Sequence, residues 1–254
     1  MWSIKSLFSS ARPKDTKLAA PEHPEGFEQP FHVVSHHGSL IRLRPDFEER
    51  YIILHKHTFP EVLQRIARSN IRNYSIFLAE GMLFSHFDYV GKSFASDMEA
   101  MEDQVTKEWW KLTAPMQVPL KTRKKGEWWA SMELVSQFGG EISSFGKILR
   151  GAARRHVGRV ATQSLKSFFF QRKQALSELL RKHSLQSTTL YFKDGWLYLY
   201  CEYSGQDRER DVHLLLENIE FRRIQKEFAA FLKTPSRQSE AKLWDPMRPV
   251  FYTA

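Results

Sequence analysis

A chain of 254 residues, 42% hydrophobic and 26% charged with only 12 Gly and 11 Pro, can bury one large core or two of about 100 to 130 residues, and it is not a disordered or fibrous composition. The single cysteine, Cys201, excludes an internal disulfide and a thiolate metal site, and no run of eighteen apolar residues offers a membrane-spanning helix. The formal charge of +9 is uneven: residues 1–138 hold 18 Lys+Arg against 17 Asp+Glu and the remainder 20 against 12, yet no element for reading nucleic-acid sequence accompanies it, so no specific nucleic-acid partner is expected.

Residues 1–30, rich in Pro, Glu, Lys and Ser, read as a flexible lead-in. They lack the apolar core of a secretory signal. A reducing, cytoplasmic setting is therefore expected, with organelle import as the alternative because Lys5, Arg12 and several serines precede the first acid, Asp15. From Ser39 to Arg44 a short strand is predicted, and Pro45-Asp46 opens an amphipathic segment in which Phe47, Tyr51, Leu54, Phe59, Val62, Leu63 and Ile66 recur near helical spacing. Two apolar runs around Ala79-Glu80-Gly81 predict a hairpin, residues 94–112 a helix, and WWASMELVSQF a closing strand.

The same order recurs. Aligning the segment from Asn70 with that from Ser184 needs a shift of 114 and no gap, which sets Gly81 on Gly195 and Tyr89 on Tyr203; Trp129 and Met132 match Trp244 and Met247 at a shift of 115. The predicted second unit runs through a strand at 156–162, the helix KSFFFQRKQALSELLRK, the hairpin, a helical stretch at 208–232 and the strand PMRPVFYTA. The expected organisation is a 1–30 extension, a first domain 31–138, a basic linker 139–155 and a second domain 156–254. A βαββαβ unit carries both helices on one face of its sheet, so its other face must be covered. The fold class expected is therefore α+β, two tandem ferredoxin-like units packed sheet to sheet as an intramolecular dimeric α/β barrel, the chain being a monomeric pseudo-dimer.

Tyr51 and His55 lie one helical turn apart on one face, a spacing that equally suits a core tyrosine beside a surface histidine. Trp109 and Trp110 are adjacent and so point about 100° apart on a helix, only one of them toward any given centre. No Gly-rich phosphate loop, HExxH or G-x-S-x-G turn occurs, which leaves nucleotide hydrolysis, zinc proteolysis and serine esterase chemistry without support.

Pro45, the E-E-x-Y-x-x-x-H run from Glu48 and Glu49 to Tyr51 and His55, Pro60-Glu61, the strand N-Y-S-I-F-L and the Trp109-Trp110 pair, followed by S-M-E-L-V, together resemble the L-rhamnose mutarotase family over about residues 39 to 138. The resemblance implies a dimeric α/β barrel and a cofactor-free, metal-free enzyme that interconverts the α and β anomers of a 6-deoxyhexose, a small monosaccharide. It places the proton-donating histidine at His55, hydroxyl-holding tyrosines at Tyr51 and Tyr74, and sugar-pocket tryptophans at Trp109 and Trp110. Ring opening of a hemiacetal requires a proton on the ring oxygen and loss of one from the anomeric hydroxyl, and a histidine near its ordinary pKa could serve both directions at neutral pH. Phe59 stands where the family usually has Trp. In the second unit His55, Tyr51, Tyr74 and the Trp pair fall on Phe169, Leu165, Thr188, Arg223 and Ile224, so one site per chain is expected, the second unit being non-catalytic. The alternative is a sugar-binding or regulatory pseudoenzyme of the same family.

Overall fold

The structure, a computed structural model, describes residues 34–139, 148–232 and 244–254. The expected 1–30 extension and the stretch 140–147 of the expected linker lie outside the described residues. The first half comprises β1 (Ser35–Leu43), α1 (Glu48–Lys56), α2 (Pro60–Arg68), β2 (Ile71–Ala79), β3 (Met82–Tyr89), α3 (Phe94–Ala100), α4 (Gln104–Thr113), the two short strands β4 (Gln117–Val118) and β5 (Ala130–Ser131), and β6 (Glu133–Gly139). The second half comprises β7 (Leu149–His156), α5 (Thr162–Phe170), α6 (Lys173–Lys182), β8 (Leu185–Lys193), β9 (Trp196–Tyr203), α7 (Arg208–Glu217), α8 (Ile219–Phe231) and β10 (Asp245–Thr253).

Each amphipathic stretch predicted as one helix is two. Phe59 is extended ahead of Pro60, whose ring disfavours helical geometry at the preceding residue and suits the first position of the next helix. Asp103 and Asn218 end the preceding helical segments by capping new ones: Asp103 Oδ1 accepts from Thr106 N at 2.8 Å and Asn218 Oδ1 from Phe221 N at 3.1 Å. Both hairpins have two-residue loops with positive φ throughout, 47° and 69° at Glu80-Gly81 and 51° and 82° at Asp194-Gly195, the geometry that matches strand twist.

The expected linker needs correction. Residues 149–156 form β7, and the strand expected at 156–162 is instead a turn leading into α5. The segment L-R-G-A-A-R-R-H hid its strand character because its arginines are internal: Arg150 Nε lies 3.4 Å from a Glu202 carboxylate oxygen, and Arg154, 5% exposed, pairs with Glu80. Burying the aliphatic stems while the guanidinium heads meet acids makes a basic run compatible with a sheet interior.

The strands follow the order β4-β1-β3-β2-β10-β7-β9-β8-β6, with each of these neighbouring pairs antiparallel. The final strand of each half crosses to the other half. In β10, residues 245–247 pair with β7, and residues 248–253 pair with β2. Met132 alone separates β5 from β6; β5 pairs with β1 through Ser39 and Leu40, and β6 pairs with β8. The segment that ends the ladder thus also touches its beginning.

One face of this sheet buries Leu40, Phe77, Phe84, Tyr191, Tyr198 and Tyr200, contributed by both halves. The other face carries the helices, over Ile41, Leu43, Ile76 and Leu83 in the first half and Leu185, Leu190, Leu197 and Cys201 in the second. Local details repeat 114 residues apart. Tyr89 Oη donates to Asp97 Oδ2 at 2.6 Å and Tyr203 Oη to Asp211 Oδ2 at 2.9 Å. Beside them Gly91 and Gly205 leave no room for a side chain, since a Cβ on either would sit 2.3 Å from the tyrosine oxygen.

Candidate functional site

The spacing of Tyr51 and His55 puts both side chains on the sheet-facing side of α1, where both are buried. Their rings are tilted at a centroid distance of 4.0 Å. Trp109 on α4 approaches the imidazole edge-on at 5.2 Å, and Phe251 on β10 does so at 5.8 Å. Tyr74 on β2 meets Phe251 at 5.5 Å and Phe87 at 5.8 Å. Phe59, the residue in place of Trp, keeps an aromatic wall against Trp109 at 5.3 Å. Four of the five residues singled out in the sequence therefore converge. The fifth, Trp110, follows Trp109 by about 100° around α4 and is 41% exposed, away from this cluster.

Two contributors were not legible in the sequence. Gln117, on β4, donates from Nε2 to Tyr51 Oη at 3.1 Å and accepts from Trp128 Nε1 at 2.8 Å. Phe251 belongs to the last strand of the chain, 196 residues from His55, and reaches the cluster only because β10 crosses to β2. No local signal marks either residue.

The electrostatics are set by burial. His55 is 8% exposed, and loss of water pushes its pKa down to about 4, the hydrogen bond to the Tyr51 carbonyl only partly opposing the shift. That bond, Nδ1 to Tyr51 O at 2.9 Å, fixes the tautomer: a carbonyl oxygen can only accept, so Nδ1 carries the proton and Nε2 keeps the lone pair. The expectation of a histidine near its ordinary pKa is corrected, because the imidazole is neutral, and a base, at neutral pH. Burial also raises the Tyr51 phenol, with Tyr74 nearby adding to the effect and Gln117 opposing it, and pushes Tyr74 up to about 12. Both phenols keep their protons at any ordinary pH. The arrangement thus holds one neutral base and two proton-bearing hydroxyls within aromatic walls.

The basic residues have separate destinations. Lys121, Arg123, Lys124 and Lys125 are exposed in the loop between β4 and β5, whereas Arg155 lies over the Phe228 ring at 5.2 Å. No helix among the described residues is long and apolar enough to cross a membrane.

Solved structures similar to this chain share its fold at low sequence identity. A candidate monooxygenase from Lactobacillus acidophilus NCFM superimposes with a TM-score of 0.53 at 7% identity, covering 86% of this chain and 96% of that one. A candidate monooxygenase from Fusobacterium nucleatum gives 0.51 at 9% identity, covering 88% and 95%. Both likenesses define a class of fold, mixed α+β with a ferredoxin-like element order and an antiparallel sheet, and carry no chemistry across. No curated protein matches the chain in sequence. The family model for L-rhamnose mutarotase matches residues 36–138, the same half that holds Tyr51, His55, Tyr74 and Trp109.

Proposed function

We propose that the first half is a cofactor-free sugar mutarotase site that interconverts the α and β anomers of L-rhamnose or a related 6-deoxyhexose. The convergence of His55, Tyr51, Tyr74 and Trp109 inside the segment that matches the L-rhamnose mutarotase model carries the proposal. Nε2 of neutral His55 takes the proton of the anomeric hydroxyl as the C1–O5 bond opens. Tyr51, whose oxygen already accepts from Gln117, has its O–H free to protonate the ring oxygen. Rotation about C1–C2 and reclosure return both protons and give the other anomer. Trp109, Phe59 and Phe251 supply apolar ring faces for the C–H faces of the sugar, a role that Trp110, turned away from the cluster, does not share.

On this reading the chain is a tandem duplication in which the second half substitutes for the second subunit of a dimeric barrel, so that β10 completes the first half's site and the protein is a monomeric pseudo-dimer. The exchange of β6 and β10 between halves and the recurrence of the hairpins and Tyr-Asp pairs at a shift of 114 support it. Light scattering on dilute protein should give one chain per particle.

A second reading, a sugar-binding pseudoenzyme, draws on the near-complete burial of His55 among Tyr51, Trp109 and Phe251. Saturation-transfer NMR between the α and β anomeric protons of L-rhamnose separates the two. The enzyme accelerates exchange over buffer, and His55→Ala removes about 10² to 10⁴ of that acceleration; sugar-dependent shifts in the protein spectrum with no acceleration would select the pseudoenzyme.

A further inference from the structure

On the face of the sheet away from the helices, where the two halves meet, stands a set of residues that the mutarotase reading does not use. His36 at the start of β1 and His86 and Asp88 on β3 place two imidazoles and a carboxylate so that their donor atoms all lie within 4.8 Å of one another. Nδ1 of His36 is 2.6 Å from Asp88 Oδ1, and Nε2 of His86 is 3.4 Å from the same oxygen. We propose that His36, His86 and Asp88 form a binding site for a divalent first-row transition ion, Zn²⁺ being the simplest, held in a shell contributed by the second half.

The donor geometry suits the ion. Bonds of about 2.0 to 2.2 Å in a tetrahedral arrangement set neighbouring donors about 3.4 Å apart. His86 Nε2 and Asp88 Oδ1 have that separation already, and seating the ion requires the His36 ring to turn so that its nitrogen moves off the carboxylate by under about 1 Å and comes within the same reach of His86 Nε2, from which it lies no more than 4.8 Å. Two nitrogens and one carboxylate oxygen leave a fourth position open, and the partial exposure of His36 gives the route in.

The surrounding shell orients the donors as metal sites require. The remaining nitrogen of His86, Nδ1, is 2.9 Å from Tyr191 Oη, which leaves Nε2 to the ion. The imidazole is fixed in plane by stacking on Tyr200 at 3.6 Å and 15°. Asp88 Oδ2 accepts from Asn73 Nδ2 at 2.8 Å, and Asn73 is delivered by a bulge in β2 where its φ is 52°. Tyr191 and Tyr200 come from β8 and β9.

The second half shows what the position holds when no ion is wanted. At a shift of 114, His36, His86 and Asp88 correspond to Arg150, Tyr200 and Glu202. There the guanidinium of Arg150 lies 3.4 Å from the Glu202 carboxylate, and Tyr200 Oη donates to Glu202 Oε1 at 2.6 Å. A covalently attached cation faces the acid in the second half, whereas two imidazoles frame it in the first. The two sets face each other across the inner face: Arg150 Nη2 also lies 3.4 Å from Oδ1 of Asn73, the residue that holds Asp88, and Glu202 offsets its charge there.

The test uses the full chain, freed of metal by chelator and dialysis, titrated with Co²⁺ and then Zn²⁺. One equivalent of Co²⁺ should develop a visible absorption band that one equivalent of Zn²⁺ abolishes. By calorimetry, Asp88→Asn and His36→Gln should each weaken Zn²⁺ binding by at least about 100-fold, and Tyr191→Phe by about 10 to 100-fold, with circular dichroism unchanged. Should Asp88→Asn fail to fold, the partly exposed His36→Gln decides alone. A folded wild type that shows no one-equivalent Co²⁺ band overturns the proposal, as does Zn²⁺ binding of undiminished affinity in His36→Gln.

Discussion

Under the helices of the first half the sheet meets Tyr51, His55, Tyr74 and Trp109; 114 residues further on, the corresponding surface meets Leu165, Phe169 and Thr188, while Arg223, the counterpart of Trp109, is exposed and pairs with Glu220. The backbone around the two sets is alike, down to the two-residue hairpins and the Tyr-Asp bonds that anchor α3 and α7. The second region is an apolar core with a residual cavity of about 100 Å³, lined by Phe138, Phe169, Leu176, Phe221, Ile224 and Phe228 among others. Where the first half gathers a neutral imidazole and two phenols among aromatic rings, the second half holds a packed apolar core. What both halves have in common is the surface through which they meet: the strand exchange and the shared inner face.

This contrast can be broken most forcefully at Phe169, the counterpart of His55. Its ring packs against Phe138, Phe168 and Phe228, so Phe169→Ala should cost about 3 to 5 kcal/mol in urea unfolding and leave anomer exchange unchanged wherever the protein stays folded. An equal loss of exchange would show that the second half takes part in the chemistry.

Titration sharpens the same pair of positions. Above pH 6.5 His55 is neutral whether folded or not. As the pH falls from 6.5 toward 4, the unfolded chain binds a proton that the buried imidazole refuses, so stability is lost across that window, by an amount approaching about 3 kcal/mol near pH 4. Below about pH 4 the folded form binds it too and the loss stops growing. His55→Phe, which copies the second half, should reduce the stability lost between pH 7 and 4.5 relative to wild type; equal losses in the two proteins would contradict the pKa assigned to His55.

Gln117→Leu keeps the volume but removes the donor to Tyr51 and the acceptor of Trp128 Nε1. It should destabilise by about 1 to 3 kcal/mol and slow exchange, an effect that thermal melts and NMR would read separately. The smallest effects are expected where the halves agree: Tyr89→Phe and Tyr203→Phe should each cost about 1 kcal/mol, and a clearly unequal pair would weaken the equivalence of the halves.

Much of this was readable in the sequence because it is local. The Glu80-Gly81 and Asp194-Gly195 turns, the gapless repeat and the one-turn spacing of Tyr51 and His55 all depend on residues close along the chain. What escaped depends on distant pairing. That β10 pairs with β2, bringing Phe251 to His55, is a choice of partner strand that no local pattern encodes. Lys and Arg in L-R-G-A-A-R-R-H and its neighbours read as a solvated linker because the acids that accept Arg150 and Arg154, Glu202 and Glu80, lie 52 and 74 residues away. His36 meets Asp88 across the β1–β3 ladder for the same reason. The low pKa of His55 was also out of reach, since burial is a property of the assembled core and not of the helix that carries it.

The most direct measurement compares the two equivalent positions by one readout, anomeric saturation transfer on L-rhamnose and related deoxyhexoses with wild type, His55→Phe and Phe169→His. Accelerated exchange is expected in the wild type, its loss in His55→Phe and no change in Phe169→His. Acceleration that survives His55→Phe would contradict the assignment of the chemistry to the first half.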